Sequence, residues 1–302
     1  MKAVLGRLVY CVDCNEPIED VGAEEMRLGQ FLQCKQCNAS FNLYSLYQDF
    51  YENIPLAKKI VDVTRKAVWG SGFTIDAKEY STKMDEFEEK NNMTELVRSI
   101  ISDTIIFGQC LVEVARDNPP RLMRLDPATI EIRKGFRQPR GSFGYYDSIE
   151  ALLQRIPGSR TREISSDNLI SFVGQDFMGE PIGTSIYGLW LHYWFVLRFS
   201  SDALINTHFM EGKGSTKEID SIRRFSEEQV IMGSGVPAFL LGEDRASRLP
   251  SLGEKILLDV FTQSADERKS SIEDVMEENV FSVVLGEEFD SQESWPDFVW
   301  IP

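Results

Sequence analysis

Positive charge and histidine are scarce in this sequence. Lys and Arg number 32 against 48 Asp and Glu, giving a formal net charge of −16 over 302 residues. Gripping nucleic acid requires Lys and Arg against phosphates, so this balance speaks against a dedicated nucleic-acid clamp. It suits a wall that nucleic acid slides past, because an acidic surface keeps phosphate off. The two histidines, His192 and His208, stand apart from any Ser or Cys arrangement that would make a nucleophile. No run reaches about 18 uninterrupted apolar residues, so no membrane span is expected. Residues 1–10 lack the apolar core and small-residue cleavage site of a signal peptide, and none is expected. Internal repeats and low-complexity tracts are absent.

What is present supports a folded chain. Apolar residues make up 42% and charged residues 26%, enough to bury a core plus a small appendage. Four of the five cysteines fall within the first 37 residues, as Cys11-Val12-Asp13-Cys14 and Cys34-Lys35-Gln36-Cys37. Two CxxC pairs separated by 19 residues have the spacing of a four-thiolate zinc site. Two residues between cysteines let both sulfurs of a knuckle point at one ion. Four sulfurs at about 2.3 Å close the tetrahedron and leave no position for water, so the zinc would be structural. The fifth, Cys110, reads as inert core within a strand.

Further along, Ile54, Leu56, Ile60, Val61, Val63 and Val68 form an apolar stripe, predicting a helix over 50–69 stopped by Gly70-Ser71-Gly72. A second helix is expected over Thr94–Phe107. Strands are expected at Cys110–Val114 and Leu122–Leu125 around the turn Asp117-Asn118-Pro119-Pro120, then at Thr129–Arg133 and Ser142–Tyr146. Ile149–Arg155 reads as a short helix and Leu169–Val173 as a strand, making this region α+β. Thr184 to Phe209 reads as one long aromatic-rich helix, broken at Gly212-Lys213-Gly214-Ser215. Lys217–Met232 reads as another helix, and Val236–Leu241 as a short apolar segment. A last helix is expected from Pro250, with a kink, to Leu285, with Gly286 just past its end. Ile256, Leu257, Val260, Phe261, Ile272, Val275, Met276 and Val283 would be its apolar face. Its carboxylates, Asp259 to Glu278, are expected to spread around the remainder as a solvated or channel-facing surface.

Catalytic constellations are missing. Gly212-Lys213-Gly214-Ser215-Thr216 lacks the first glycine of a phosphate loop and follows a helix instead of a strand. With no dyad, activated nucleophile or cofactor fingerprint, the chain is expected not to be an enzyme.

From about residue 50 onward, the order of motifs resembles the portal proteins of tailed bacteriophages and related archaeal viruses. Residues 55–61 followed by Gly70-Ser71-Gly72-Phe73 are similar to the early wing helix and the strand after it. Ile106-Phe107-Gly108-Gln109-Cys110-Leu111-Val112-Glu113-Val114 is similar to a typical portal strand, and Leu125-Asp126-Pro127-Ala128-Thr129-Ile130 resembles the strand entry that follows it. Leu169-Ile170-Ser171-Phe172 and then Gly179-Glu180-Pro181-Ile182-Gly183-Thr184-Ser185 look like the approach to a portal stem. Gly235-Val236-Pro237-Ala238-Phe239-Leu240-Leu241-Gly242 resembles a late portal segment, and Trp295–Trp300 a closing wing strand. The four-cysteine module lies outside this pattern, and the clip between stem helices is reduced to residues 209–216 and a little beyond.

The resemblance implies an α+β fold, a portal-like wing with long stem helices, and the cysteine spacing places a zinc-ribbon module before it. The divisions are 1–48 (ribbon), 49–183 (wing), 184–249 (stem helices with a short clip-like turn) and 250–302 (closing helix and strand). It implies a homododecameric ring at one capsid vertex of a virion, assembled in the host cytoplasm. Double-stranded DNA would be packaged and ejected through it. The implied partners are the major capsid protein, a head-tail adaptor and the terminase motor. Val236, Pro237, Arg245 and Arg248 are then candidates for the DNA channel. Trp190, Tyr193 and Trp194 are candidates for packing between subunits. Two other readings stay open: a zinc-ribbon nucleic-acid-binding or regulatory protein, and an enzyme using a carboxylate-bound metal on the late helix.

Overall fold

The computed structural model describes residues 9–10, 17–18, 31–38, 40–42, 47–48, 51–132, 151–154, 161–173, 224–225, 227–228, 230–242, 252–286 and 295–301. The expected elements at 142–146 and 184–209 lie outside these residues, as do both histidines and the glycine-rich turn at 212–215.

Two short hairpins open the chain. β1 (Val9–Tyr10) pairs antiparallel with β2 (Pro17–Ile18), and β3 (Phe31–Gln33) with β4 (Ser40–Asn42). Helix α1 (Pro55–Trp69) follows, with Pro55 at its first position, where the missing N–H costs nothing. Ala57, Ile60, Val61, Thr64 and Val68 recur at helical spacing and are all buried. Gly70 ends the helix at φ 54°, its N–H donating to the Lys66 carbonyl at 3.0 Å.

The polypeptide then forms β5 (Phe73–Asp76), α2 (Ser81–Asn91) and α3 (Met93–Ile106). Asn92, left-handed at φ 46°, separates the two helices. α2 has no counterpart among the expected elements. It is rich in acidic residues and buries only Met84 and Phe87. β6 (Gln109–Ala115) and β7 (Arg121–Arg124) form the expected hairpin, and β11 (Leu169–Val173) pairs antiparallel on the other side of β6. A second three-stranded antiparallel sheet has the order β10-β9-β8, from β8 (Ile130–Ile132), β9 (Ala151–Gln154) and β10 (Arg162–Ser165). The helix expected over Ile149–Arg155 is therefore corrected. Its centre is a middle strand, paired on both sides, and those ladders override the helix-forming tendency of Ala, Leu and Gln.

Residues 230–234 are helical, and Ala238–Leu241 forms a 3₁₀ turn against α1. α4 (Leu252–Val275) continues through a π-helical stretch, Met276–Phe281, into Ser282–Leu285, and stops at Gly286 with φ 66°. The irregularity of this helix is a π-helical stretch. Its wider turn lets Met276, Val280 and Phe281 all be fully buried. β12 (Asp297–Trp300) returns to pair antiparallel with β5, so the two ends of the α+β region close on each other. Phe73 and Phe298 stack there at 4.7 Å, with Trp69 and Trp300 edge-on to Phe73. The Trp300 indole N–H donates to the Lys269 carbonyl at 3.1 Å, fastening β12 to α4. One contiguous core joins α1–α4, β6, β11, β12 and the 230–241 segment. Among the described residues no helix is long and apolar enough to cross a membrane.

Candidate functional site

Three surfaces carry the chain's chemistry. At the N-terminus, each short hairpin brackets one CxxC. Cys11 and Cys14 fall between β1 and β2, and Cys34 and Cys37 between β3 and β4. The second knuckle is described. Residues 35–37 form a turn, closed by the Asn38 N–H donating to the Cys34 carbonyl at 2.9 Å. Asn38 sits in the left-handed region at φ 60°, which Asn tolerates better than most residues. Cys34 and Cys37 are both thiols. A turn that carries two thiols suits a soft divalent ion such as zinc. Cys11 and Cys14 lie outside the described residues, and among those described no group of three or more metal-binding side chains converges.

The second surface is α4, whose faces differ. Phe261, Ala265, Arg268, Ile272 and Met276 turn into the core. Asp259, Asp266, Glu267 and Asp274 instead share a stripe with Thr262, Gln263 and Ser270 along a shallow groove of about 650 Å³. Spacings of seven or eight residues bring these four back to one helical face, while other carboxylates of the helix lie elsewhere. Glu273 and Glu277 turn toward β12. Glu277 Oε1 accepts the Phe298 N–H at 2.8 Å, and Lys78 pairs with Asp297 at 3.0 Å. Burial pushes the Glu273 carboxyl above its ordinary range, and its neighbours Glu277, Asp274 and Asp297 push the same way.

A second correction concerns the apolar face of α4. Ile256, Leu257, Leu258 and Val260 are 55, 56, 38 and 50% exposed, and Val283 is exposed as well. Side chains this close together point around most of the helix, which for a stable helix implies burial on most sides. Among the described residues they have no such cover. Phe225 and Met232 are likewise exposed, at 58 and 65%.

The third surface is a polar cleft of about 670 Å³ between α1 and α3, lined among others by Lys66, Trp69, Arg98 and Arg124. The Arg98 guanidinium lies 4.6 Å from the centre of the Trp69 ring. At its floor, Arg124 donates two hydrogen bonds to Asp103, Nε to Oδ2 at 2.5 Å and Nη2 to Oδ1 at 2.7 Å. Asp103 is buried on α3, and Cys110 of β6, fully buried, is beside it. Burial raises the Asp103 carboxyl even though Arg124 pulls it down. Burial, followed by the Asp103 charge, lifts the Cys110 thiol far above the ordinary range. Cys110 is thus a core residue, as expected of a strand cysteine. The ion pair had no sequence signal, since its partners are 21 residues apart on different elements.

In the expected channel segment, two side chains are buried in this subunit. Val236 and Pro237 are buried, Val236 within the main core, so neither side chain is available to DNA from this subunit. The segment turns inward because the Ser234 hydroxyl accepts the Val236 N–H at 3.2 Å and Leu241 packs beside α1. Arg245, Arg248, Trp190, Tyr193 and Trp194 lie outside the described residues.

No protein-family model matches the chain, and no curated protein does. Solved structures do match. A chain in the virion of a native gene transfer agent particle superposes with a TM-score of 0.58 at 11% identity, covering 90% of this chain and 89% of that one. A chain in the neck of the native particle, computed with C12 symmetry, gives 0.55 at 11% identity, covering 87% and 84%. A chain in the neck of the empty particle, computed with C6 symmetry, gives 0.59 at 9% identity, covering 90% and 86%. At these identities the likeness is one of fold. The chain is similar in fold, over most of its length, to chains in the virion and neck of a gene transfer agent particle.

Proposed function

We propose that this chain is the repeating subunit of a portal-type connector ring in a virion, a conduit for double-stranded DNA between head and tail. The observation that carries the reading is the fold likeness to neck structures of C12 and C6 symmetry, over most of both chains. Two features of the chain support it. The apolar side chains at the start of α4 need cover that the described residues do not supply, and a closed ring would supply it at every copy. The net charge of −16 and the acidic stripe on α4 give a body that holds phosphate poorly, so DNA passes without being gripped.

In this role the ring is a homododecamer at one vertex. It meets the major capsid protein, passes DNA driven by the terminase motor, and seats a head-tail adaptor. The protein itself does no chemistry. The loop 243–249, with Arg245 and Arg248, takes over from Val236 and Pro237 as the candidate segment nearest DNA, and Trp190, Tyr193 and Trp194 are candidates for packing between subunits. The N-terminal module holds one structural zinc through Cys11, Cys14, Cys34 and Cys37.

Negative-stain imaging and native mass measurement of the purified chain test the reading. Annular particles of roughly a dozen copies are expected. A monomer or dimer under all salt and pH conditions, and also with capsid and scaffold partners present, would overturn it in favour of a regulatory protein.

A further inference from the structure

The polar contacts that hold β12 lie among charges of one sign. In the ladder, Asp297 stands directly across from Asp76 of β5, and like charges so placed destabilise a strand pair. Lys78 bridges the two. Its ammonium pairs with Asp297 at 3.0 Å, and its backbone N–H donates to the Asp76 carboxylate at 3.4 Å. Lys78 is itself left-handed at φ 48°, a conformation few lysines adopt. Backbone held against its preference is concentrated at clamps and switches. From the other side, α4 and its continuation present Glu277, which accepts the Phe298 N–H at 2.8 Å, and Glu273 one turn earlier. Carboxylates four residues apart on a helix repel. Glu277 lies in the π-helical stretch Met276–Phe281, and such stretches occur often at functional positions. Asp274 is exposed next to Glu273. Of the cations on α4, Lys269 pairs with Asp266 at 3.0 Å and Arg268 turns into the core. Among the described residues, the ion pair of β12 is therefore the one that Lys78 makes.

We infer that β12 is a proton-controlled strap, drawn tight when a carboxylate facing it is protonated, loosened when all are ionised, and clasped by Lys78. Glu273 is the sensing group. Burial, then Glu277, Asp274 and Asp297, lift its carboxyl above the ordinary range. Opening β12 takes Asp297 away and admits water, so in the open form that carboxyl falls back toward its ordinary value. The closed form thus binds the proton more tightly. The gain in closure is fully present below the open-state value and is lost as pH rises through the closed-state value. Apolar contacts do the main holding, through the Phe298–Phe73 stack and the Trp300 indole on the Lys269 carbonyl. The charges set the margin, which matters because a two-stranded sheet is marginal by itself and opens locally more readily than the whole fold. Release bares the aromatic stack and the edge of β5. The inference does not depend on the ring reading.

The test is amide exchange in the full-length chain in the assembly it forms. Phe298 and Ile301 are followed, since their N–H groups are held by Glu277 and by the Gly72 carbonyl, and amides of β6 are the reference. After correction for the intrinsic pH dependence of exchange, protection of these two should rise about threefold or more from neutral to mildly acid pH, the size of one like-charge contact. The β6 amides should not follow. Glu273→Gln should show the higher protection already at neutral pH, with no further rise on acidification. Asp274→Asn, on an exposed position, should shrink the rise without abolishing it. Lys78→Met should lower protection about threefold at every pH and keep the rise. Urea denaturation followed by circular dichroism establishes that each variant folds. Exchange of β12 only together with β6 overturns the inference, because no separate strap then opens. A flat wild-type profile, or a full rise retained in both Glu273→Gln and Asp274→Asn, overturns proton control. Unchanged protection in Lys78→Met overturns the clasp.

Discussion

Replacing Arg124 with leucine should destabilise the wing by about 2–3 kcal/mol at neutral pH and by much less in acid. The two hydrogen bonds to Asp103 are short, and the carboxylate is 3% exposed while the guanidinium is 39% exposed. Removing one partner of a fully buried pair costs about 3–5 kcal/mol, because it strands the other charge. Pairs open to solvent on both sides contribute about 0–1 kcal/mol. This pair is closed on one side only, hence the intermediate figure. The pH dependence has a definite sign. Asp103 already has a raised carboxyl, so its ionisation costs stability as pH rises from the unfolded value through the folded value. Without Arg124 the folded value moves higher still. The gap between variant and wild type should be small near pH 4, open as pH rises, and level off once Asp103 would be ionised in both. Urea denaturation followed by circular dichroism across that range measures it. The double variant Asp103→Leu/Arg124→Leu should recover most of the loss, since apolar residues often replace a buried pair at little cost. A single variant that loses under about 0.5 kcal/mol at every pH would refute the reasoning.

Other outcomes follow from equally local features. Asn91 donates to the Phe87 and Pro120 carbonyls and accepts the Leu122 N–H at 2.6 Å; Asn91→Ala should cost about 1–3 kcal/mol and speed amide exchange in the β6–β7 hairpin. Phe298→Ala empties a fully buried site stacked on Phe73 and should cost about 3–5 kcal/mol in urea denaturation, releasing β12 from β5. Glu277→Gln keeps an acceptor for the Phe298 N–H but removes a like charge beside Glu273. The Glu273 carboxyl should then titrate lower by NMR, with stability at neutral pH unchanged or slightly higher. Leu257→Lys lies on an exposed position, so it should leave the melting of the isolated subunit within about 0.5 kcal/mol while abolishing annular particles in micrographs.

Long elements with clear terminators were legible in the sequence. α1 and α4 stop at Gly70 and Gly286, which take positive φ as helix-ending glycines do. The β6–β7 hairpin and β11 show apolar runs between turn residues, and β12 is an aromatic strand after a Trp-Pro step. Elements whose stability comes from partners were not legible. α2 has two apolar contacts and many acids, too little periodicity to announce a helix. β9 consists of helix formers and becomes a strand because β8 and β10 flank it. β10 carries a single buried side chain, Ile164, in its four residues. The cysteine spacing pointed to a knuckle, and residues 35–37 form a turn between β3 and β4. That Cys34 enters the wing core depends on how the hairpin docks, which spacing does not encode.

α4 gathers these threads, because no single environment suits all of its faces. Toward the core it presents Phe261, Ile272 and Met276; along the groove, carboxylates and hydroxyls; at its start, exposed leucine and isoleucine. In a lone subunit the exposed apolar turn opposes stability, since burying a large aliphatic side chain is worth about 1.5–3 kcal/mol that here goes largely unrealised. A sequence that maintains both an acidic stripe and a greasy turn on one helix is suited to two neighbours of opposite character, one aqueous or anionic and one apolar. A ring has both, because each copy offers one flank to the next copy and another to the bore. The acidic stripe alone would be an ordinary solvated face, and the apolar turn alone an ordinary contact. Their coexistence on α4 is what the proposed ring would ask of this helix.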